Sequence, residues 1–195
     1  MKSIEFPRVA IFFTCLVPDG VSVSRVLYLS LTMPTIAISS LARCKIANLN
    51  HVSLSPCLKF LDLRANNLHS LSDLTFPQSL EKLNLENNRL THLDAVLPKR
   101  LVYLSIESNR IRCLDFAALP SSLIRLDVST NALSSLVGIE GLPLLNLLHC
   151  RNNQLGDLDD VSFPATLHKL NLLPQPHYVC KRMSFAARPP PFLSR

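Results

Sequence analysis

One sequence pattern, L-x-x-L-x-L-x-x-N-x-L-x-x-L, occurs five times in this chain of 195 residues. The copies follow one another at intervals of 22, 21, 22 and 22 residues, and they begin at Leu58, Leu80, Leu101, Leu123 and Leu145. A fixed period of this length is the signature of a solenoid, in which each copy forms one turn and stacks on the next. The repeat therefore predicts an array of similar turns that share one core.

The fourth and sixth positions of each copy are apolar, while the residues beside them vary. Side chains on a strand alternate between its two faces, so this spacing predicts a short strand with an apolar inner face. Stacked turns would pair these strands in parallel and join their inner residues into a continuous core. The inner pairs are Leu61 and Leu63, Leu83 and Leu85, Leu104 and Ile106, Leu126 and Val128, and Leu148 and Cys150.

An asparagine stands at the ninth position of every copy, although its amide is costly to bury. A buried amide needs hydrogen-bond partners, and stacked asparagines would find them where the chain leaves each strand. The alternative, a surface turn residue, fits the constant phase poorly. We predict a structural asparagine ladder made of Asn66, Asn88, Asn109, Asn131 and Asn153.

The second half of each copy has only seven or eight residues and contains a proline two or three residues before the next leucine. Proline fixes φ and lacks an N–H group, which excludes a long α-helix at this point. We expect a thin outer side of tight helical turns or extended chain. These prolines are Pro77, Pro98, Pro120, Pro143 and Pro164.

The repeats can be traced beyond the five clear copies. Upstream, IAISSLARCKIANL is a degenerate copy with Ser39 at the second leucine position and Cys44 at the asparagine position. Downstream, LHKLNL begins a partial sixth copy. The predicted regions are an N-terminal apolar segment (1–35), a repeat domain (36–172) and a Pro-rich basic tail (173–195).

The tail carries four basic residues and no acidic one, and this composition favours disorder. It does not resemble the polar element that normally caps a solenoid. We therefore hold two readings open, a disordered tail or a chain that is a fragment of a longer repeat protein. An uncapped sheet edge near Leu172 would favour self-association.

The N-terminal segment allows two locations for the protein. Residues 9–17, VAIFFTCLV, are apolar and are similar to the core of a signal peptide, but they are too few to span a membrane. Residues 27–34 are read as a cap or an extra strand. The sequence contains no N-x-S/T sequon despite its many asparagines. We predict a cytoplasmic protein, or a secreted one if residues 1–24 act as a signal peptide.

Motifs for chemistry are missing from the sequence. It contains no C-x-x-C, H-E-x-x-H, G-x-S-x-G or phosphate loop, and it has only four glycines. His69 and His92 fall near neighbouring strand exits, but a metal site needs further ligands. The repeats are nearly neutral, which disfavours nucleic acid. We expect a non-catalytic chain with no cofactor, no metal, no nucleic-acid partner and no stable membrane span.

The outward positions of the strands would form columns across the sheet and offer a binding face. Aromatic and arginine side chains dominate protein–protein hot spots. We expect Tyr103 and Arg125 to act as anchors and Glu86 and Glu107 to supply charge complementarity; the alternative is that these are ordinary exposed strand residues. The candidate partner-binding residues are Phe60, Lys82, Glu86, Tyr103, Glu107, Arg110, Arg125 and Arg151.

Residues 36–172, about 70% of the chain, resemble the leucine-rich repeat family in its 22-residue class. The resemblance implies an α/β repeat solenoid, a curved horseshoe with a parallel sheet on its concave face. The convex face would carry short 3-10 or extended segments. The family's usual role implies a scaffold or regulator that recognises a protein partner, for example in signalling.

Two local similarities keep further functions open. Residues 134–155, with their I-E-G-L phrase, are similar to leucine-rich repeat proteins that regulate type-1 phosphatases. The recurring F-P and L-P joins are similar to repeat regions upstream of tyrosine-kinase-like protein kinase domains. We therefore keep three readings: an intracellular interaction module, the truncated sensor region of a kinase, and a secreted recognition protein.

Overall fold

Nine short strands form one parallel sheet in a computed structural model that describes residues 9–12, 36–49, 52–156, 158–172 and 192–193. Each strand pairs with the next one along the chain, from β1 to β9. The strands are β1 (Val9–Phe12), β2 (Ile36–Ser40), β3 (Phe60–Asp62), β4 (Lys82–Asn84), β5 (Tyr103–Ser105), β6 (Arg125–Asp127), β7 (Leu147–His149), β8 (Lys169–Asn171) and β9 (Phe192–Leu193).

Strands β3 to β8 align position for position. Lys82 pairs with Tyr103, and Tyr103 pairs with Arg125. The register holds even across the 21-residue copy that begins at Leu80, because its missing residue lies in the back half of the turn. The same repeat position therefore occupies the same place on every one of these strands.

The inner face of the sheet is a stack of fully buried leucines. Leu61, Leu83, Leu104, Leu126 and Leu148 each have no exposed surface. Together with their neighbours they belong to one core cluster. Complete burial of one such side chain contributes about 1.5–3 kcal/mol, so neighbouring turns stabilise one another. The predicted parallel-sheet solenoid is confirmed.

The outer side is thin, as the prolines predicted. Among the described residues the only helices are the 3-10 helices η1 (Phe116–Ala118) and η2 (Ile139–Gly141), and no α-helix is present. Asp115 is the N-cap of η1, and its side chain accepts a 3.0 Å hydrogen bond from the Ala117 N–H. None of the helices in the described ranges has the length and apolar character that crossing a lipid bilayer requires.

Both ends of the sheet carry a strand from outside the repeats. β1 lies within the apolar stretch that is similar to a signal peptide, and it pairs with β2. β9 lies in the Pro-rich tail and pairs with β8 over two residues. Most of residues 1–35 and 173–195, including residues 27–34, lie outside the described residues. The regional boundaries, the disorder of the tail and self-association therefore stay predictions.

Candidate protein-binding face

The asparagine ladder holds the strand exits of neighbouring repeats together. The Asn109 Nδ2 donates to the carbonyl oxygens of Leu85 at 3.0 Å, Ile106 at 3.0 Å and Glu107 at 3.2 Å. Its Oδ1 accepts from the Leu90 N–H at 2.9 Å. One amide thus joins its own strand exit to the preceding repeat on both its donor and its acceptor side.

The other four asparagines repeat this pattern. At the N-terminal end, the Asn66 Oδ1 accepts from the N–H groups of both Cys44 and Ile46 at 3.0 Å. The Asn66 Nδ2 donates to the Leu41 carbonyl at 2.9 Å. Because each asparagine serves the repeat before it, Asn66 supports the degenerate copy although Cys44 replaces the asparagine there.

The residue before each ladder asparagine has a left-handed backbone, which the sequence analysis missed. Their φ angles lie between 53° and 55°, in a region that non-glycine residues rarely adopt. After glycine, asparagine is the residue that best tolerates this region, and it occupies two of the five positions. Its presence there was the sequence signal for a left-handed backbone. These residues are Ala65, Asn87, Ser108, Thr130 and Asn152.

A second ladder of hydroxyl groups precedes the strands and was also missed. Ser122 Oγ donates to the Leu101 carbonyl at 2.7 Å. Ser79 makes the matching bond to the preceding repeat at 2.8 Å, and Thr166 does so at 2.9 Å. The signal is a serine or threonine directly before the first leucine in three copies, which the period makes visible.

A groove of about 550 Å³ lies on the outward face, over the beginnings of the central strands. It brings together four of the predicted partner-binding residues, Phe60, Lys82, Tyr103 and Arg125. We call it the Tyr103 groove, since Tyr103 lies between Lys82 and Arg125 in the register. The full lining is Phe60, Lys82, Asn84, Val102, Tyr103, Ile124 and Arg125.

Val102 and Ile124 are groove residues that sequence reasoning missed. Ile124 is 41% exposed and is one of four large apolar side chains that the described residues leave open to solvent. On one side of this apolar pair stands the 2.8 Å ion pair between Lys59 and Glu81. In the five clear copies and the partial sixth, the second position is thus polar beside the groove and apolar only within it, and this contrast was readable in the sequence.

The predicted acidic residues Glu86 and Glu107 lie just beyond the ends of β4 and β5. Partial burial raises the pKa of Glu107, and the nearby carboxylates of Asp127 and Glu86 raise it further, while Arg151 opposes them. Burial also raises the pKa of Tyr103, and the same three carboxylates raise it further, while a hydrogen bond with Ser105 opposes them. The carboxylates of Glu86, Glu107 and Asp127 form an acidic band beside the Tyr103 groove. Arg151 lies at one end of this band, and Arg110 is exposed beyond the strand exits.

Three of the fifth-position side chains contact the backbone. The side chains of Asp62, Asn84 and Asp127 each accept a hydrogen bond from the N–H two residues later, at 3.1, 3.0 and 2.9 Å. Asp127 Oδ2 also lies 3.3 Å from the Nδ1 of His149. These three residues therefore shape the strand exits, and Asn84 also lines the Tyr103 groove.

Histidines and carboxylates form no metal-like cluster among the residues that the structure describes. His92, considered above with His69, lies 3.5 Å from Asp94 through its Nε2. The same Asp94 carboxylate accepts hydrogen bonds from the Ser70 hydroxyl and from the Leu71 N–H. This contact network joins two neighbouring turns.

Comparison with known proteins supports one class of protein. Residues 56–111 match the family model described as leucine rich repeat. Among solved structures, YopM from Yersinia enterocolitica is 31% identical with a TM-score of 0.58, over 74% of this chain and 29% of that one. A functional domain of InlJ from Listeria monocytogenes is 25% identical with a TM-score of 0.55, over 78% of this chain and 31% of that one.

A third structure, internalin C2 from Listeria monocytogenes, is 20% identical with a TM-score of 0.54. It matches over 71% of both chains and shows the fold alone. The chain spans less than a third of the YopM and InlJ structures. No curated protein matches this sequence.

The family match and the similarity to YopM support a leucine-rich repeat protein and a module for protein–protein interaction. Nothing in these comparisons indicates catalysis. The 22-residue class and the similarities to phosphatase regulators and to kinase-associated repeats stay predictions.

Proposed function

We propose that this protein binds a protein partner through the concave face of its sheet, with Tyr103 and Arg125 as anchors. Glu86 and Glu107 supply charge complementarity beside them, and Arg110 and Arg151 contribute at the edges of the same face. In this role the chain is a scaffold or regulator that acts in the cytoplasm and in signalling.

The observation that carries the proposal is the convergence of four candidate residues in one groove. Phe60, Lys82, Tyr103 and Arg125 come from four consecutive strands, and all line the Tyr103 groove. Aromatic and arginine side chains at the centre of a concave surface are the usual anchors of protein interfaces.

Affinity capture from native cells tests the proposal. Wild type and the double variant Tyr103→Ala/Arg125→Ala serve as baits, and mass spectrometry identifies the captured proteins. We expect a specific partner that the double variant loses, since truncation of two anchors typically removes several kcal/mol of binding energy.

A control bait checks that the effect belongs to the concave face. Val96 is 90% exposed, and Arg112 is exposed on the outer part of a turn. The variant Val96→Ala/Arg112→Ala should keep the partner that wild type captures. A partner retained equally by both double variants would contradict concave-face binding.

A further inference from the structure

The Tyr103 groove combines an apolar floor with two cations. Tyr103 is half-buried, and Val102 and Ile124 lie beside it. Lys82 and Arg125 belong to the same lining. Among the described residues, neither of these two cations takes part in an ion pair, although Lys59 in the neighbouring column pairs with Glu81.

The register fixes the distance between the two strands that carry the cations. Lys82 and Arg125 stand on β4 and β6, one strand to either side of Tyr103. Neighbouring strands lie about 4.8 Å apart, so the two backbones are roughly 10 Å apart. The groove thus presents an aromatic ring with one cation on each side, and all three residues occupy the same repeat position.

We propose that the Tyr103 groove binds a protein segment with the pattern acid–x–apolar–x–acid. This inference rests on the proposed function and names the chemistry of the partner. In an extended segment, alternate side chains point to the same side, which places the apolar residue between the two carboxylates. The carboxylates pair with Lys82 and Arg125, and the apolar side chain packs among Tyr103, Val102 and Ile124.

The reach of the side chains accommodates this pattern. The two acids of such a segment are separated by about 13–14 Å of backbone, at 3.3–3.4 Å for each residue. Lysine and arginine have long flexible stems that close the remaining few ångströms. The ring of Tyr103 and the exposed surface of Ile124 supply the apolar contact that the central residue needs.

The acidic band defines where the segment lies. Glu86, Glu107 and Asp127 would repel a carboxylate placed further along the strands. An acidic segment is therefore confined to the beginnings of the strands, above the Tyr103 groove. A basic segment would instead be drawn to the acidic band and would miss the apolar floor. Like-charge juxtaposition of this kind is how interfaces reject wrong partners.

A random nine-residue peptide library displayed on phage tests the inference with the full chain as the target. We expect the selected peptides to carry aspartate or glutamate two residues before and two residues after a leucine, isoleucine or phenylalanine. A selection with no acidic enrichment, or with no enriched peptide at all, would overturn the inference.

Charge reversal of the groove supplies the second arm. We expect Lys82→Glu/Arg125→Glu to weaken binding of the selected acidic peptides by about tenfold, because two exposed ion pairs are lost and like charges then face each other. The matched control Lys99→Glu/Arg112→Glu reverses one lysine and one arginine outside the groove and should leave affinity unchanged. Equal affinity of wild type and the groove variant would overturn the inference.

The two proposals fail in distinguishable ways. Peptides of another composition that lose binding in Tyr103→Ala would overturn the acidic pattern and leave concave-face binding standing. Peptides that bind Tyr103→Ala/Arg125→Ala as tightly as wild type would count against both. Thermal unfolding of each variant shows whether its fold is intact; Lys82 and Arg125 are exposed, so their substitution should leave the melting temperature unchanged.

Discussion

The asparagine ladder and the Tyr103 groove belong to the same repeats, but they differ in how many of their polar groups have a bonding partner within the protein. The amide of Asn109 makes four hydrogen bonds to the backbone of two repeats. In the groove, Lys82 and Arg125 have no ion-pair partner among the described residues. The ladder is the same in five copies, whereas the groove residues change from one copy to the next.

This difference separates stability from recognition. A buried polar group is costly unless its hydrogen bonds are satisfied, so the ladder position tolerates few residue types. An outward side chain loses little when its partner is absent, because water solvates it. The residue types on the outward face can therefore differ between repeats, and a binding surface can form there without destabilising the array.

Removal of a ladder amide should have the largest effect on stability. Asn109→Ala leaves four backbone groups without the amide, and we expect a loss of about 1–3 kcal/mol in the free energy of unfolding. Urea unfolding followed by circular dichroism measures it. The adjacent outward variant Arg110→Ala should change stability far less. If the Asn109→Ala protein is as stable as wild type, the ladder does not have the structural role argued for it.

A smaller loss should follow from the hydroxyl ladder. Ser122→Ala removes the 2.7 Å hydrogen bond to the Leu101 carbonyl, and we expect a loss of about 0.5–1.5 kcal/mol. The neighbouring Ser121 is exposed, so Ser121→Ala is the matched control and should be nearly neutral. If the two variants unfold at the same urea concentration, the hydroxyl bond contributes nothing measurable.

Relief of backbone strain should give the smallest effect, with the opposite sign. Thr130 is β-branched and has a φ of 54°, whereas Asn87 and Asn152 hold the same position in other copies. We expect Thr130→Asn to stabilise the protein by about 0.5–1 kcal/mol, since asparagine tolerates this conformation better. The reciprocal variant Asn87→Thr should destabilise it by a similar amount. Two shifts of the same sign would contradict the strain argument.

Much of the fold was readable because its period is regular. The phase of the leucines predicted which residues of β3 to β8 face inward, and the prolines predicted a thin outer side. The same phase placed Phe60, Lys82, Tyr103 and Arg125 in one column. It did not predict that Val102 and Ile124 would complete a groove there, because second-position residues lie before the strand and their direction depends on the local backbone.

The sequence by itself determined the stacking, the register and the composition of each column, since every copy repeats the same apolar spacing. Outside the asparagine ladder, only the tertiary structure decided which polar side chains hydrogen-bond to the backbone. Asp62, Asn84 and Asp127 accept backbone N–H groups, and Ser122 donates across the repeat boundary. Such bonds depend on backbone angles and on contacts between turns, which no single copy of the repeat contains.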